Sequence, residues 1–479
     1  MPAVTGGRDR GALAIVLHTH MPYVEGFGTW PFGEEWLWEA IAGSYLPLLE
    51  LLDAGAPLTL SLTPVLCDQL EAPGIAERFS EFVLGTRQET HREDAAGLRA
   101  GGHEQLAREL ERSWGEYRAA LERFEACGGQ LLGALGRHAQ WTSAATHAVL
   151  PLLASDAGVH LQVSSGVQAH RRRFGEAWRG GFWLPECAYA PWLERALEDA
   201  GVSAVCVELT ALLGSGAPEH LRPIATEGGY LLVPVDRATM SLVWSDAGYP
   251  AHGDYRDYHH HTVHHHNPWN NRGEAYDHEE ALATARQHAA DFVARVRARL
   301  DGAGAPGGGL AVCALDTELL GHWWYEGVVW LEEVVHESAR QGLELVHLDD
   351  ALERCEPRAI SELPGAGEWA PCSWGGNGDL STWSSPAVAD MAFVTRAAEL
   401  EVLAAGERAS TAAVRELLAL QASDWPFMVS REIAVPYARE RFEGHRLELA
   451  GALGDSGAER LEGLRNLAVD AAPGALLAP

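Results

Sequence analysis

Three places in this chain set a polar side chain directly after a short apolar run. They are His18-Thr19-His20 after AIVL, Glu186 after GFWLP, and Asp316 after AVCAL. A carboxylate at the end of a buried strand costs desolvation unless it is paired or used. Two such carboxylates suit glycoside chemistry. One attacks or stabilises the anomeric carbon, and the other protonates the leaving oxygen. Acids in such places also bind metals, so residue type alone leaves both readings open.

His18 and His20 project to one side of a strand, as a metal pair would. No H-E-x-x-H occurs, however, and no Asp or Glu stands beside them. Hydrogen bonding to sugar hydroxyls, or simple packing, also accounts for them. The tract His259-His260-His261 and His264-His265-His266 also invites a metal reading. It lacks acidic neighbours at suitable spacing and reads as a loop.

Other chemistries are excluded by what the chain lacks. Every fixed cation is Arg, so there is no P-loop lysine and no Schiff-base lysine. No G-x-S-x-G elbow is present, which removes the usual serine triad. The glycine run 302–309 precedes an apolar strand instead of following one, so it is no dinucleotide fingerprint. The 36 basic and 67 acidic residues give a net charge of −31, which disfavours nucleic acid and anionic membrane surfaces as partners. Seven cysteines scattered without a C-x-x-C argue against a disulfide framework and fit a reducing cytoplasm. No run of about 18 uncharged apolar residues exists to span a bilayer. Trp outnumbers Phe, 17 to 11, which suggests flat platforms on which sugar rings stack, although most Trp side chains serve cores.

These residues need elements to position them. Residues 11–17 read as a buried strand, 34–54 as a helix and 57–62 as a second strand, the β-α-β unit of a parallel sheet. Residues 76–127 read as a helical insertion. Short strands are expected at 130–135, 158–162, 180–184, 202–208, 310–315 and 345–347, and helices at 192–200 and 279–301. Residues 240–275 form a long polar stretch, and a loop of that length is usually functional. From about residue 385 the pattern is helical, over 386–405, 410–423 and 431–450. The fold class expected is α/β: a parallel barrel with a helical insertion and a C-terminal helical domain, its catalytic groups at the C-terminal strand ends.

Five segments in order carry a resemblance. His18-Thr19-His20-Met21-Pro22-Tyr23, with Trp30-Pro31-Phe32-Gly33-Glu34-Glu35-Trp36, resembles the first signature of glycoside hydrolase family 57, and most closely that of its α-1,4-glucan branching enzymes. Thr142 to His147, Gly181 to Tyr189, Leu315 to Trp324 and Ser423 to Phe427 resemble the second to fifth. The resemblance implies an incomplete (β/α)7 barrel over 1–75 and 138–375, a helical insertion over 76–137 and a C-terminal all-helical domain over 376–479. It implies Glu186 as nucleophile and Asp316 as general acid/base, about 5–5.5 Å apart as retention requires. Substrate contacts would come from His18, His20, Trp36, His147, Tyr249, Trp269, Trp374, Trp383 and Asp424. Tyr249 would ride a mobile loop over the cleft, and Glu318 and His322 would order Asp316. No cofactor or metal is expected. The partner expected is an α-glucan, in the cytoplasm, with no nucleic acid or membrane. An α-amylase or 4-α-glucanotransferase would use the same two carboxylates. A glucan-binding protein with a silent site, or a metal-dependent carbohydrate deacetylase on His18 and His20, stand as readings from other classes.

Overall fold

The structure is a computed structural model that describes residues 11–28, 32–303, 309–365, 369–454, 464, 466–471 and 473–474. Trp30, Pro31 and the middle of the glycine-rich turn, 304–308, lie outside the described residues.

Seven parallel strands carry the molecule: β1 (Ala12–Thr19), β2 (Thr59–Leu62), β3 (Ala139–Ser143), β4 (Gly181–Trp183), β5 (Ala204–Val207), β6 (Leu231–Pro234) and β7 (Leu310–Asp316). Their order is β6-β5-β4-β3-β2-β1-β7. Both faces are covered, which is why β1 and β7 read as unbroken apolar runs. The curled sheet is joined between β6 and β7 by the Asp236 N–H donating to Val312 O at 2.9 Å, not by a strand ladder. Behind that seam Arg299, from the helix His278–Ala303, reaches the buried Asp236 carboxylate at 3.1 Å. Short strands extend the edges: Ile224–Ala225 runs antiparallel to β6, Arg358–Ala359 lies beyond it, and Glu344–Leu345 pairs with β1.

Two expected strands are helices. Residues 130–135 belong to the helix Leu131–Gly136, and 158–162 lie inside the helix Asp156–Phe174. Short apolar runs do not distinguish the two periods, and Ser155 decides the second case by capping the helix, its Oγ accepting from Gly158 N at 3.1 Å. The strands actually used there and later, AQWTS and LLVP, were not expected. The first has one large apolar residue, and the second ends in a proline that a central strand tolerates only at its edge.

Helices from Pro64 to Gly136 separate β2 from β3. After the barrel the chain packs the helices Ala389–Ala405, Thr411–Leu420, Asp424–Ser430 and Val435–Leu453 around a core of Leu417, Leu418, Trp425 and Phe442. The expected helix 410–423 stops at Leu420. The break sets Ser423 and Asp424 at the start of a new helix that faces the barrel mouth. No helix among the described residues is long and apolar enough to cross a membrane.

Candidate active site

The C-terminal ends of the strands meet over a stack of rings. His18 closes β1, and its ring lies 4.5 Å from that of Trp183, which closes β4 on the other side of the barrel. His147 lies 4.9 Å from His18 and 4.0 Å from His20, also stacked. In register, His18 is the neighbour of Asp316 on β7, so the two side chains leave the sheet on the same face.

Glu186 is held from two directions. The Trp374 indole donates to its Oε2 at 2.8 Å, and the Ser423 hydroxyl donates to Oε1 at 3.0 Å. The same two residues also grip backbone. Trp374 N–H donates to Glu186 O at 3.0 Å, and Ser423 N–H to His147 O at 3.1 Å. Both captured residues are strained, Glu186 with φ 61° and His147 with φ 59°, in the left-handed region that side chains with a Cβ rarely adopt. The clamp holds them there.

A carboxylate only accepts, and this fixes a chain of protons. Ser423 Oγ gives its hydrogen to Glu186, so it must accept from His147 Nδ1 at 2.8 Å. In a neutral ring whose Nδ1 carries the hydrogen, His147 Nε2 accepts from His18 Nε2 at 2.9 Å. Burial, with the positive His20 close by, holds both well below the ordinary histidine range. His20 is the charged member. Burial pulls it down, but Asp424, 2.9 Å from its Nε2, together with Glu318 and Glu186, carries it above its ordinary value.

Asp316 stands partly open to the cleft. Burial first, then the charges of Glu318 and Glu186, push its carboxyl well above the ordinary range, so it keeps a proton where a free aspartate would not. Burial also raises Glu186, against the opposing pull of Trp374 and Ser423. Glu318 is pushed up to about 7 by burial, while it accepts from Tyr45 OH at 2.6 Å and from His20 N at 3.1 Å. Tyr45 sits in a π-turn, Ile41–Tyr45, that interrupts the helix after β1, and such turns often mark functional positions. Gly43 in that turn must be glycine, since a Cβ there would meet Gly321 O at 2.9 Å.

The structure brings together Glu186, Asp316, His18, His20, His147, Glu318, Trp374 and Asp424. The other residues singled out in the sequence lie elsewhere. Tyr249 donates to Asp291 Oδ2 at 2.7 Å and stacks on His288 at 4.6 Å, against the helix His278–Ala303. Trp269 is covered by His260, ring to ring at 3.9 Å. Trp383 is buried behind Trp374, with Val149 and Ala188. Trp36 packs on Phe32 and Tyr437 at the edge of a separate cavity. His322 faces the same cavity. Sequence reasoning gave no role to Ser423, the first residue of the fifth segment, or to Tyr45. Ser423 adjoins Asp424, and that adjacency was the available signal; Tyr45, inside an apolar helix, offered none.

The histidine tract is a stapled loop. His259 and His260 N–H groups donate to Asp257 Oδ1, Asn267 Nδ2 donates to three loop carbonyls, and His264 Nδ1 meets Asp94 at 2.8 Å. Among the described residues no group of three or more His, Cys, Asp or Glu is arranged to hold a metal ion.

A family profile described as Glycosyl hydrolase family 57 matches residues 136–364, and one described as 1,4-alpha-glucan branching enzyme, C-terminal, matches residues 386–463. The chain is 32% identical to a 1,4-alpha-glucan branching enzyme of Thermococcus kodakarensis, across 90% of this chain and 72% of that protein. Its fold is similar to that of the GH57-type branching enzyme from Pyrococcus horikoshii, with a TM-score of 0.87, 30% identity, and 97% and 96% of the two chains covered. The α-amylase AmyC from Thermotoga maritima shares the fold, with a TM-score of 0.81 at 23% identity over 98% and 99% of the two chains.

Proposed function

This chain belongs to glycosyl hydrolase family 57, and from that premise we propose that it is a 1,4-α-glucan branching enzyme. The observation that carries the reading is the carboxyl pair at the barrel mouth. Glu186 is gripped by two donors, and Asp316 is held protonated partly by the charge of Glu186.

In this reading Glu186 attacks C1 of a glucosyl unit, and the C1–O4 bond breaks as Asp316 gives its proton to O4. Asp316, now ionised, takes the proton from a C6 hydroxyl of a second chain as that oxygen bonds C1 and the ester to Glu186 opens. The product is an α-1,6 branch with retained configuration. The donor glucose is held by His18, His20, His147 and Asp424, with Trp374 beside the nucleophile and Trp383 backing it. Trp36 would line the approach, and Trp269 would join it only where His260 leaves its face.

Branching requires water to lose to a sugar hydroxyl. Tyr249 would act here by leaving Asp291 and closing over the cleft. The barrel would comprise 1–75 and 138–375, the insertion 76–137 and the helical domain 376–479. The substrate would be an amylose-like or glycogen-like glucan in the cytoplasm, as part of glycogen synthesis.

Incubation with amylose followed by linkage analysis tests the reading. New α-1,6 linkages are expected. Reducing ends without branches would make the protein an amylase, and redistributed linear chains a glucanotransferase. Glu186→Gln should remove all three activities with an unchanged fold by circular dichroism.

A further inference from the structure

A cavity of about 320 Å³ opens where the turn after Asp316 ends, and of its lining only Trp36 entered the mechanism above. The sequence does not connect its walls. Glu35 and Trp36 come from the helix after β1, Arg87 from the insertion, Tyr258 and His265 from the histidine loop, and Trp323 from the turn that leaves Asp316.

Three observations identify its occupant. Five aromatic rings are exposed among the described residues, and three of them, Phe32 (36%), Tyr258 (41%) and Trp323 (41%), line this one cavity. Exposed rings facing one concave space offer flat apolar faces to a ligand.

The second observation is charge. Arg87 is spent on two carboxylates, 2.8 Å from Glu35 Oε1 and 2.6 Å from Glu39 Oε1. Arg256 is likewise spent on Glu109. An anion would meet Glu39 and Glu116, and a cation would meet the two arginines. A neutral ligand with many hydroxyls meets no opposing field. Glu35 is buried, and its second oxygen lies 3.9 Å from His265 Nδ1, beyond hydrogen-bond reach. Burial and Glu39, against the pull of Arg87, push its carboxyl up to about 8, so near neutral pH it also has a hydrogen to donate.

The third is direction. The segment from Thr317 to Trp323 runs from Asp316 into the cavity wall. The cavity wall is thus continuous along the chain with the acid/base, and Trp374, which holds Glu186, is not part of it.

We propose that this cavity seats the acceptor α-glucan chain, its rings stacked on Tyr258 and Trp323 and its hydroxyls on Glu35. The proposal rests on the transferase reading. The acceptor C6 hydroxyl would give its proton to Asp316 as its oxygen bonds C1 and the C1–Glu186 bond breaks, which balances the step.

The test uses the full chain, amylose as donor, and maltohexaose carrying a fluorescent label at its reducing end as acceptor. Label incorporation gives a KM for the acceptor, and unlabelled amylose cleavage gives a KM for the donor. In Tyr258→Ala/Trp323→Ala the acceptor KM should rise at least about tenfold relative to the donor KM. Both rings are partly exposed, so their truncation spares the core, and Trp323→Ala alone provides a second variant. An acceptor KM within twofold of wild type in both variants overturns the cavity and leaves branching intact. Label joined by α-1,4 linkages only overturns the branching reading while the KM comparison still decides the cavity. No incorporation by the wild-type protein overturns both.

Discussion

Burial raises the nucleophile's proton affinity and two hydrogen bonds oppose it, and one of those bonds can be removed by a single substitution. Catalysis in this scheme needs Glu186 ionised and Asp316 protonated. Activity should therefore fall on the acid side as Glu186 protonates and on the alkaline side as Asp316 ionises, with both limbs raised because both folded-state values are raised. Ser423→Ala deletes a donor that favours the carboxylate, so Glu186 should rise further. The acid limb of kcat/KM should move up by about one pH unit, from the usual worth of a hydrogen bond to a charged group. Ser423→Thr should restore it. An unmoved limb would show that the Ser423 contact does no electrostatic work. Asp316 gives a prediction about stability. Its folded-state value lies above the unfolded one, so its contribution is full below about pH 4 and is lost as pH rises through the folded value. At pH 7 the ionisable group is a cost. Asp316→Asn should be inactive yet melt about 1–3 °C higher at pH 7, with the gap closing at pH 4. At this scale the sequence revealed the acids, because a carboxylate after an apolar strand is conspicuous. It hid how they are held: Ser423 and Trp374 reach Glu186 across 237 and 188 residues, and no local pattern encodes that.

Among the elements, strands fully buried on both faces were legible from their unbroken apolar runs, as β1 and β7 were. β3 was not, because AQWTS faces partners that bond its polar side chains, such as the Ser143 hydroxyl donating to Trp183 O at 2.9 Å. The long polar stretch was legible as a loop but not in how it is held. Its Tyr249 rests on the helix His278–Ala303 by one charge-assisted hydrogen bond and one ring contact. That anchor is worth about 1.5–3 kcal/mol, small enough for a bound glucan to displace. If Tyr249 closes over the cleft, Tyr249→Ala should shift products from branches to reducing ends by severalfold. Asp291→Ala, which frees the ring and gives up only an exposed pair with Arg295 besides, should keep or raise the branched share. Product analysis of the two variants side by side checks this, and an unchanged share in Tyr249→Ala ends the lid.

For the whole molecule, the site exists only because the C-terminal helices dock on the barrel. Ser423 and Asp424 come from the helical part, Glu186 and His20 from the barrel. Their relative position is set by a buried polar network between the two. Gln162 donates to Thr146 Oγ1 and Gln421 Oε1, each at 2.9 Å, and Gln421 donates to Glu399 Oε2 at 3.1 Å. Glu399 also accepts from Ser155 Oγ at 2.5 Å and from Ala154 N at 3.0 Å. It is fully buried against Gly158, where a Cβ would collide with the carboxylate. Glu399→Ala strands the buried Gln421 donor and the half-buried Ser155 and Ala154 donors and should cost about 2–4 kcal/mol. The informative consequence lies about one helix away. Gln421 leads directly into Ser423, so losing the network should loosen the Ser423 grip on Glu186 and move the acid limb of kcat/KM in the same direction as Ser423→Ala. A variant that melts lower while its pH profile stays fixed would mean that Glu399 stabilises the interface without positioning the nucleophile. A profile that moves with Tm makes the docking of the helical part a determinant of the nucleophile's charge.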